Sequence, residues 1–581
     1  MPVQEAIKET LTALVPKGSQ TTLGVDMIFG VPGDFNMEFL DQIEDFQGIE
    51  WGLNTHELGA GYAADGYARI RGIGAVCTTF GVGELSAVNA TAGSYAEMIP
   101  VVHIVGTPST VSQQDGAVLH HTLGNGDFQV FGRMFKEITV AQAFLTPDNA
   151  EHEINRVLRE CLLKKRPVYI AIPSDIAYKQ INVKWEALIT EPENNPKDVE
   201  EDAVGHITTT VNAAKRPAII LDACAHRFHV EKEVLDFIEA SGFPVYSAPM
   251  GKGVISDFHK QYRGAYLGDL SVPSVKEELE QADQVLLIGS IKSDFNTGGF
   301  TFHLPTSRLI ELHSDHTLVH HAVYPKVGFR GLLPLLAKSL NRREWTLGPP
   351  KPVSPQSTIE PSDTVIRQAF FWETYGKLVS KKPYAVTVET GTSSFGSSQV
   401  KLMDGSVYVS QVLWGSIGFA TAAALGVALG AKTRQQPLRT VLITGDGSYQ
   451  LTATEITTFM RHKLTPIIII INNDGYTIER YIHGAERTYN RTGMWSYSKS
   501  LEFFSSPEER TKNYLPEFGL QAKIISPAAL EPCLRQAFEE EDKIHVLEVV
   551  MDKMDAPVGM VNQAKVTAKE NRYGGEESNE V

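Results

Sequence analysis

From Val25 to Val550 the chain alternates short apolar runs with amphipathic stretches of about 10–15 residues, the pattern of parallel sheets whose strands are joined by covering helices. An α/β fold follows. In the first third the runs are 25–30, 74–80, 101–106 and 167–172. In the middle they are 217–221, 244–247, 284–288 and 308–312, and in the last third 385–389, 407–409, 440–444, 467–472 and 546–550. Two polar, proline-bearing stretches break the alternation, one around Glu191-Pro192-Glu193-Asn194-Asn195-Pro196 and one over 347–363, and both read as linkers. A chain of 581 residues has room for three such units. We expect domains over 1–190, 200–345 and 365–565, each a mostly parallel sheet covered by helices, and a tail over 566–581 that is disordered from Tyr573.

The longest small-residue run, "GSIGFATAAALGVALGA" at 415–431, is shorter than the about 18–20 residues a membrane span needs and is rich in Gly and Ala. It reads as a buried helix, and no membrane is expected as a partner. Acidic side chains outnumber basic ones 69 to 53, with no basic block, which excludes a nucleic-acid or anionic-membrane surface and points to small ligands. The start, Met1-Pro2-Val3-Gln4-Glu5, has neither a secretory nor a transit character, so the expected address is the cytoplasm. Cys77, Cys161, Cys224 and Cys533 are far apart, without a C-x-x-C pair, and read as free thiols.

Two strand ends carry chemistry. The run 440–444 closes on "GDGS", and 27 residues after Asp446 the run "PIIIII" closes on Asn472-Asn473-Asp474-Gly475. That separation suits one βαβ unit, with a helix over 453–462 between the strands, and sets both ends side by side at the carboxyl edge of one sheet. The carboxylate of Asp446, the amide oxygen of Asn473 and a backbone carbonyl near Gly475 would make a hard oxygen cluster suited to magnesium. Gly445 and Gly447 would allow close approach and unusual dihedrals, and Ser448 with the following helix start would donate to a phosphate. Singly, each motif is most often an ordinary turn. Paired across a βαβ unit, they suggest a diphosphate bridged by magnesium.

That pairing is the pattern of thiamine-diphosphate enzymes, and the resemblance extends over almost the whole chain. The stretches "FGVPGDFN" at 29–36, "HELGAGYAADGYARIRG" at 56–72, "TTFGVGELSAVNATAGSYAE" at 78–97 and "LHHTLGNGDFQVF" at 119–131 carry it in the first third. "SDFNTGGF" at 293–300, "ETGTSSFG" at 389–396, "QVLWGSIGFA" at 411–420 and "NNDGYTIER" at 472–480 carry it onward. Together they resemble the thiamine-diphosphate-dependent 2-oxo acid decarboxylases, nearest to the fungal pyruvate decarboxylases. The resemblance implies the thiamine-diphosphate-binding fold in the first and third domains. The first would bind the pyrimidine, the middle would be structural or regulatory, and the third would hold diphosphate and magnesium. It also implies a homodimer or homotetramer with active sites between subunits.

By the same resemblance Glu57 contacts the pyrimidine ring nitrogen and drives activation of the cofactor. Its neighbours from Leu58 to Ala64 form a small, apolar surface suited to close packing. Ile417 matches the wedge that bends the cofactor, and the Gly415 carbonyl the acceptor for its amino group. Thr390, Thr392, Ser448 and Ile478 match positions that line the cofactor or bind its diphosphate. The implied reaction is non-oxidative decarboxylation of a 2-oxo acid through an ylide and an enamine, with Asp34, His120, His121 and Glu479 as the proton-handling set. An apolar setting beside Ile478 and Ile482 would keep Glu479 protonated. The glycines of "HHTLGNGD" suit an irregular functional loop, whereas the second pair, His320-His321, is assigned no role.

Phe295, Phe395, Ile478 and Ile482 match the side chains that limit substrate size. Pyruvate is the first choice of substrate, with phenylpyruvate or indolepyruvate as alternatives. Ser394 departs from the small apolar residue expected before Phe395. Cys224 matches a cysteine implicated in substrate activation, but the relay histidine of the family's Glu-His-Val-Gly stretch is Met98 here, in Glu97-Met98-Ile99-Pro100. Weak or absent activation is expected. Rival readings are a catalytically silent cofactor-binding regulatory homologue and a magnesium-dependent nucleotide hydrolase, which would have no use for Glu57.

Overall fold

A computed structural model describes residues 24–45, 48–181, 191–343, 364–512 and 515–571. The first sheet is built from β1 (Met27–Gly30), β2 (Glu50–Trp51), β3 (Gly74–Thr79), β4 (Val101–Thr107), β5 (Gln142–Phe144) and β6 (Val168–Pro173). All its strands are parallel, in the order β2-β1-β3-β4-β6-β5. The middle sheet comprises β7 (Pro217–Leu221), β8 (Val245–Ser247), β9 (Tyr262–Ala265), β10 (Gln284–Ile288), β11 (Leu309–Leu312), β12 (His316–Val319) and β13 (Ala322–Pro325). Its order is β13-β12-β11-β10-β7-β8-β9, and only β12 runs against the direction of the others, antiparallel to both β11 and β13. His320-His321 is the tight turn of that hairpin, so the second histidine pair is a surface corner.

The third sheet contains β14 (Ala385–Val388), β15 (Val407–Val409), β16 (Thr440–Gly445), β17 (Ile467–Asn472), β18 (Glu517–Ile524) and β19 (Lys543–Val550), in the order β15-β14-β16-β17-β19-β18. Strand for strand this repeats the first sheet, again wholly parallel. In both, the order reverses beside the first strand, which opens a crevice at the carboxyl edge between the first and third strands. The Ile467–Ile471 run is 0% exposed at every position, because helices cover both faces of a parallel sheet. Each of these side chains contributes about 1.5–3 kcal/mol of burial free energy.

The first and third domains share one core. The helix Glu57–Arg71 lies along the helix Phe419–Lys432, and Ala60, Ala63, Ala64 and Tyr67 pack with Ala420, Ala424, Leu425 and Ala428 in one buried cluster. The approach is to backbone contact: a Cβ on Gly66 would overlap the Ala423 carbonyl oxygen, and one on Gly426 the Ala63 carbonyl oxygen. The expected small-residue packing around Glu57 takes this form. The buried helix expected over 415–431 begins at Phe419, because Gly415 and Gly418 hold positive φ in the loop before it.

The stretch 191–196 is irregular and leads into the helix Lys197–Ala213. The second linker, 347–363, and the tail from Tyr573 lie outside the described residues. The helix Val558–Asn571 runs through the boundary drawn at 565, so its residues to 571 are ordered helix and not tail. It packs across the helices Thr392–Ser397 and Thr477–Ile482 at the edge of the third sheet. No helix among the described residues is long and apolar enough to cross a membrane. None of the four cysteines is in a disulfide, and Cys77, Cys161 and Cys224 are buried.

Candidate active site

The ends of β16 and β17 meet as their pairing requires, with Gly445 opposite Ile471. Asp446 opens the helix Asp446–Thr452 and is buried, 1% exposed. The Gly447 N–H donates to its Oδ1 at 2.9 Å and the Gly475 N–H to its Oδ2 at 2.8 Å. Burial pushes its carboxyl up to about 6. One end of the Asn473 amide lies 2.7 Å from Thr477 Oγ1, and the other lies 3.1 Å from the Gly475 carbonyl oxygen and 3.2 Å from Asp446 Oδ1. Thr477 spends its single hydroxyl proton on the Lys553 carbonyl at 3.0 Å, so it accepts from the Asn473 NH2 group and leaves the amide oxygen at the other end. Three oxygens then converge with no proton between them, the donor set of a hard divalent cation. Gly475 has φ +108 and abuts the Asn490 carbonyl oxygen where a Cβ would stand, so only glycine turns its carbonyl into this set.

The expected unusual dihedrals at Gly445 and Gly447 are absent. Gly445 has an ordinary φ of −89, and Gly447 is not among the positive-φ glycines. Gly447 is required by contact instead, since a Cβ there would stand 2.5 Å from the Tyr476 ring. Nor is 453–462 one regular helix. The helix Asp446–Thr452 passes through a 3-10 turn, Ala453–Glu455, into the helix Ile456–Arg461.

Above the strand ends the space is open. A Cβ on Gly391 would meet nothing within 4 Å, one on Gly415 only Thr390 Oγ1 at 3.9 Å, and one on Gly445 only Ser448 Oγ at 4.0 Å. Thr390 Oγ1 and Ser448 Oγ border this space at the crevice of the third sheet, and Thr392 opens the helix Thr392–Ser397 beside Gly391. Beneath the space lies a carboxyl the sequence reasoning missed. Glu389 is 1% exposed, accepts from the N–H groups of Thr390 and Ala420 at 3.2 Å each, and is pushed up to about 7 by burial.

The loop carrying Gly415 and Ile417 is held by the first domain. Glu97 Oε1 accepts from the Leu413 and Trp414 N–H groups at 2.7 and 3.2 Å, and Tyr62 donates to Ser416 Oγ at 2.8 Å. Asn89 Oδ1 accepts from the Trp414 indole at 2.8 Å. Ile417 is 37% exposed, an unusual state for a branched apolar side chain on so firmly held a loop.

In the first domain His120 Nε2 lies 2.6 Å from Asp34 Oδ2, and His121 Nε2 lies 4.0 Å from Asp34 Oδ1. Phe35 stacks on His120, with centroids 5.1 Å apart and planes at 13°. Asp34 and two histidines 86 and 87 positions away thus form one largely exposed cluster in the loop beyond β1. The loop is irregular, as expected: His121 has φ +63, and Gly116, Gly124 and Gly126 are also left-handed. Glu57 is the first residue of its helix, whose cap is the His56 ring accepting from the Leu58 N–H. A carboxylate there is favoured by the helix dipole. Glu57 is half-buried, and its Oε1 lies 3.2 Å from where a Cβ on Gly83 would stand.

Glu479 departs from expectation, because it is exposed within the single chain and Ile478 and Ile482 do not enclose it. Phe295 and Phe395 come together, their centroids 6.1 Å apart, and the last helix closes on Phe395 at Gly559. Among the described residues no hydrogen bond or ion pair joins Glu57 or the Asp34 cluster to the Asp446 set.

Residues 20–155 match the thiamine pyrophosphate enzyme N-terminal TPP binding domain, 204–340 the thiamine pyrophosphate enzyme central domain and 389–549 the thiamine pyrophosphate enzyme C-terminal TPP binding domain. A pyruvate decarboxylase of Aspergillus fumigatus is 42% identical over 95% of this chain and 95% of its own. Pyruvate decarboxylase isozyme 1 of Saccharomyces cerevisiae is 40% identical over 94% of this chain and 97% of its own, and a Kluyveromyces lactis pyruvate decarboxylase is 40% identical over 94% and 96%.

Proposed function

The chain belongs to the thiamine pyrophosphate enzymes, and on that premise we propose that it is a lyase converting pyruvate to acetaldehyde and carbon dioxide without oxidation. Its cofactors are thiamine diphosphate and magnesium. When bound, thiamine diphosphate supplies a thiazolium carbon that adds to the ketone of a 2-oxo acid and takes up the electron pair left by departing carbon dioxide.

Asp446, Asn473 and the Gly475 carbonyl hold magnesium, and Gly445, Gly447, Ser448, Thr390 and Thr392 form the diphosphate cradle. The Gly415 carbonyl and the exposed Ile417 orient the rings, Ile478 borders them, and Glu57 sets the protonation of the pyrimidine. Asp34, His120, His121 and Glu479 handle the protons of the decarboxylation. The observation that carries this reading is the Asp34–His120 contact of 2.6 Å, which joins a carboxyl and an imidazole, two side chains able to hold or pass a proton. A silent cofactor-binding homologue would have no use for it.

Pyruvate is preferred to phenylpyruvate or indolepyruvate because Phe295 and Phe395 together narrow one wall. The working unit is a homodimer, alone or paired into a tetramer. Supporting this, Leu413, Trp414, Ile417 and Leu451 leave an apolar face exposed beside the cradle, and among the described residues no hydrogen bond or ion pair joins Glu57 to the Asp446 set of its own chain. The proposed domains are 1–190, 200–345 and, with the last helix included, 365–571, and the four free cysteines suit the reducing cytoplasm. The test is purified protein with magnesium, thiamine diphosphate and pyruvate, with acetaldehyde read through alcohol dehydrogenase. Absence of aldehyde from cofactor-loaded protein overturns the assignment.

A further inference from the structure

The segment that delivers Glu57 is held by the third domain of the same chain. Residues 52–55 run from β2 to the start of the helix Glu57–Arg71, and Leu53 adopts φ +56, a conformation a branched side chain holds only under constraint. The constraint comes from the elements that follow Asp446. His462 Nε2 lies 3.0 Å from the Gly52 carbonyl oxygen, and Thr458 Oγ1 donates to the Leu53 carbonyl at 3.3 Å.

At the centre is Glu455, 1% exposed, in the turn after the helix Asp446–Thr452. Its Oε2 accepts from Asn54 Nδ2 at 3.0 Å, and its Oε1 from Thr55 Oγ1 at 3.0 Å and the Thr55 N–H at 3.3 Å. Asn54 Oδ1 in turn accepts from the Gly30 N–H at 3.1 Å, at the end of the strand that leads to Asp34. Gly59 leaves the space, since a Cβ there would overlap Glu455 Oε1.

We propose that Glu455 is a positioning residue for Glu57, locking the segment that carries it, and the end of β1 before Asp34, onto the third domain. The inference rests on the reading of Glu57 given above. A glutamine at 455 keeps the shape but not the lock. Only one end of its amide accepts, so the NH2 group must face either Asn54 Nδ2 or the Thr55 N–H. Asn54 cannot turn round to answer it without abandoning Gly30.

The experiment compares full-length wild type, Glu455→Gln and Gly59→Ala, the second of which displaces the carboxylate by bulk. Amide hydrogen exchange in cofactor-free protein should accelerate at least about tenfold over residues 54–58, with the rest of the first domain unchanged. Turnover of pyruvate should fall about 10–100-fold, the scale of a misplaced catalytic group, while calorimetric affinity for thiamine diphosphate with magnesium stays within about threefold because the Asp446 set is intact. Glu57→Gln in the same assays separates the two levels. If it turns over like wild type, the reading of Glu57 fails and the inference with it. If it is inactive while Glu455→Gln shows unchanged exchange or wild-type turnover, the inference alone is overturned. Should Glu455→Gln not fold, Gly59→Ala decides by the same readouts.

Discussion

The sulfur of Cys224 stands 3.7 Å from the sulfur of Met98, bringing the short helix Cys224–Arg227 after β7 of the middle domain against the first domain. A thioether neither carries a proton nor supports a thiolate. The thiol is buried and pushed up to about 12 by that burial, so almost none of it is ionised near neutrality.

Substrate activation through Cys224 should therefore be weak or absent. Initial rate against pyruvate is expected to be hyperbolic, and Cys224→Ala should leave its shape unchanged and move kcat/KM by less than about threefold, under ~1 kcal/mol. A sigmoidal curve that Cys224→Ala makes hyperbolic would contradict this.

Glu57→Gln should keep cofactor binding yet lose about 10²–10⁴-fold in kcat, the range of a proton-transfer group. Asp446→Ala should instead lose about 100-fold or more in magnesium-dependent cofactor affinity by calorimetry, since the proposed metal ligand goes with it. If each site uses Glu57 of one subunit and Asp446 of another, mixing the two variants restores activity. No recovery after subunit exchange verified by mass measurement rejects the shared site.

Gly66→Ala should destabilise the protein by about 1–3 kcal/mol, the cost of overpacking. The new methyl meets the Ala423 backbone carbonyl, which cannot swing aside as a side chain would. Thermal unfolding checks this, and an unchanged Tm would mean that the two helices separate at no cost.

His103 in β4 is 0% exposed, lies 2.9 Å from Thr78 Oγ1, and is pushed down to about 3 by burial. Between about pH 3 and the unfolded value of about 6.5 the unfolded chain binds a proton that the folded chain refuses. Its contribution is thus complete above about pH 6.5 and is lost as pH falls, at up to ~1.4 kcal/mol per unit. Wild type should lose stability relative to His103→Gln between pH 6.5 and 4, read as the difference in urea midpoints. A difference independent of pH would show that the folded protein protonates His103.

Much of this architecture was legible because parallel strands buried on both faces are nearly pure apolar runs, as at 217–221 and 467–472. The strands that escaped notice, β2, β5, β9, β12, β13 and β18, are short or lie toward sheet edges, where half-exposed residues such as Glu517 and Lys523 blur the pattern. The convergence of Asp446, Asn473 and Gly475 was legible because one βαβ unit fixes both ends locally. Glu57 was legible only through resemblance, and the Glu455 lock not at all, since about 400 residues separate its partners. Glu479 is exposed, and what encloses it is a property of whatever faces it, which its neighbours in sequence do not determine.

The backbone contact between Gly66 and the helix Phe419–Lys432 also sets an order of events during synthesis. At roughly 5–20 residues per second, the partner helix leaves the ribosome about 20–70 s after the first has emerged. Through that interval the glycine–alanine face of Glu57–Arg71 is bare. The first domain therefore completes its core only when the last third of the chain arrives.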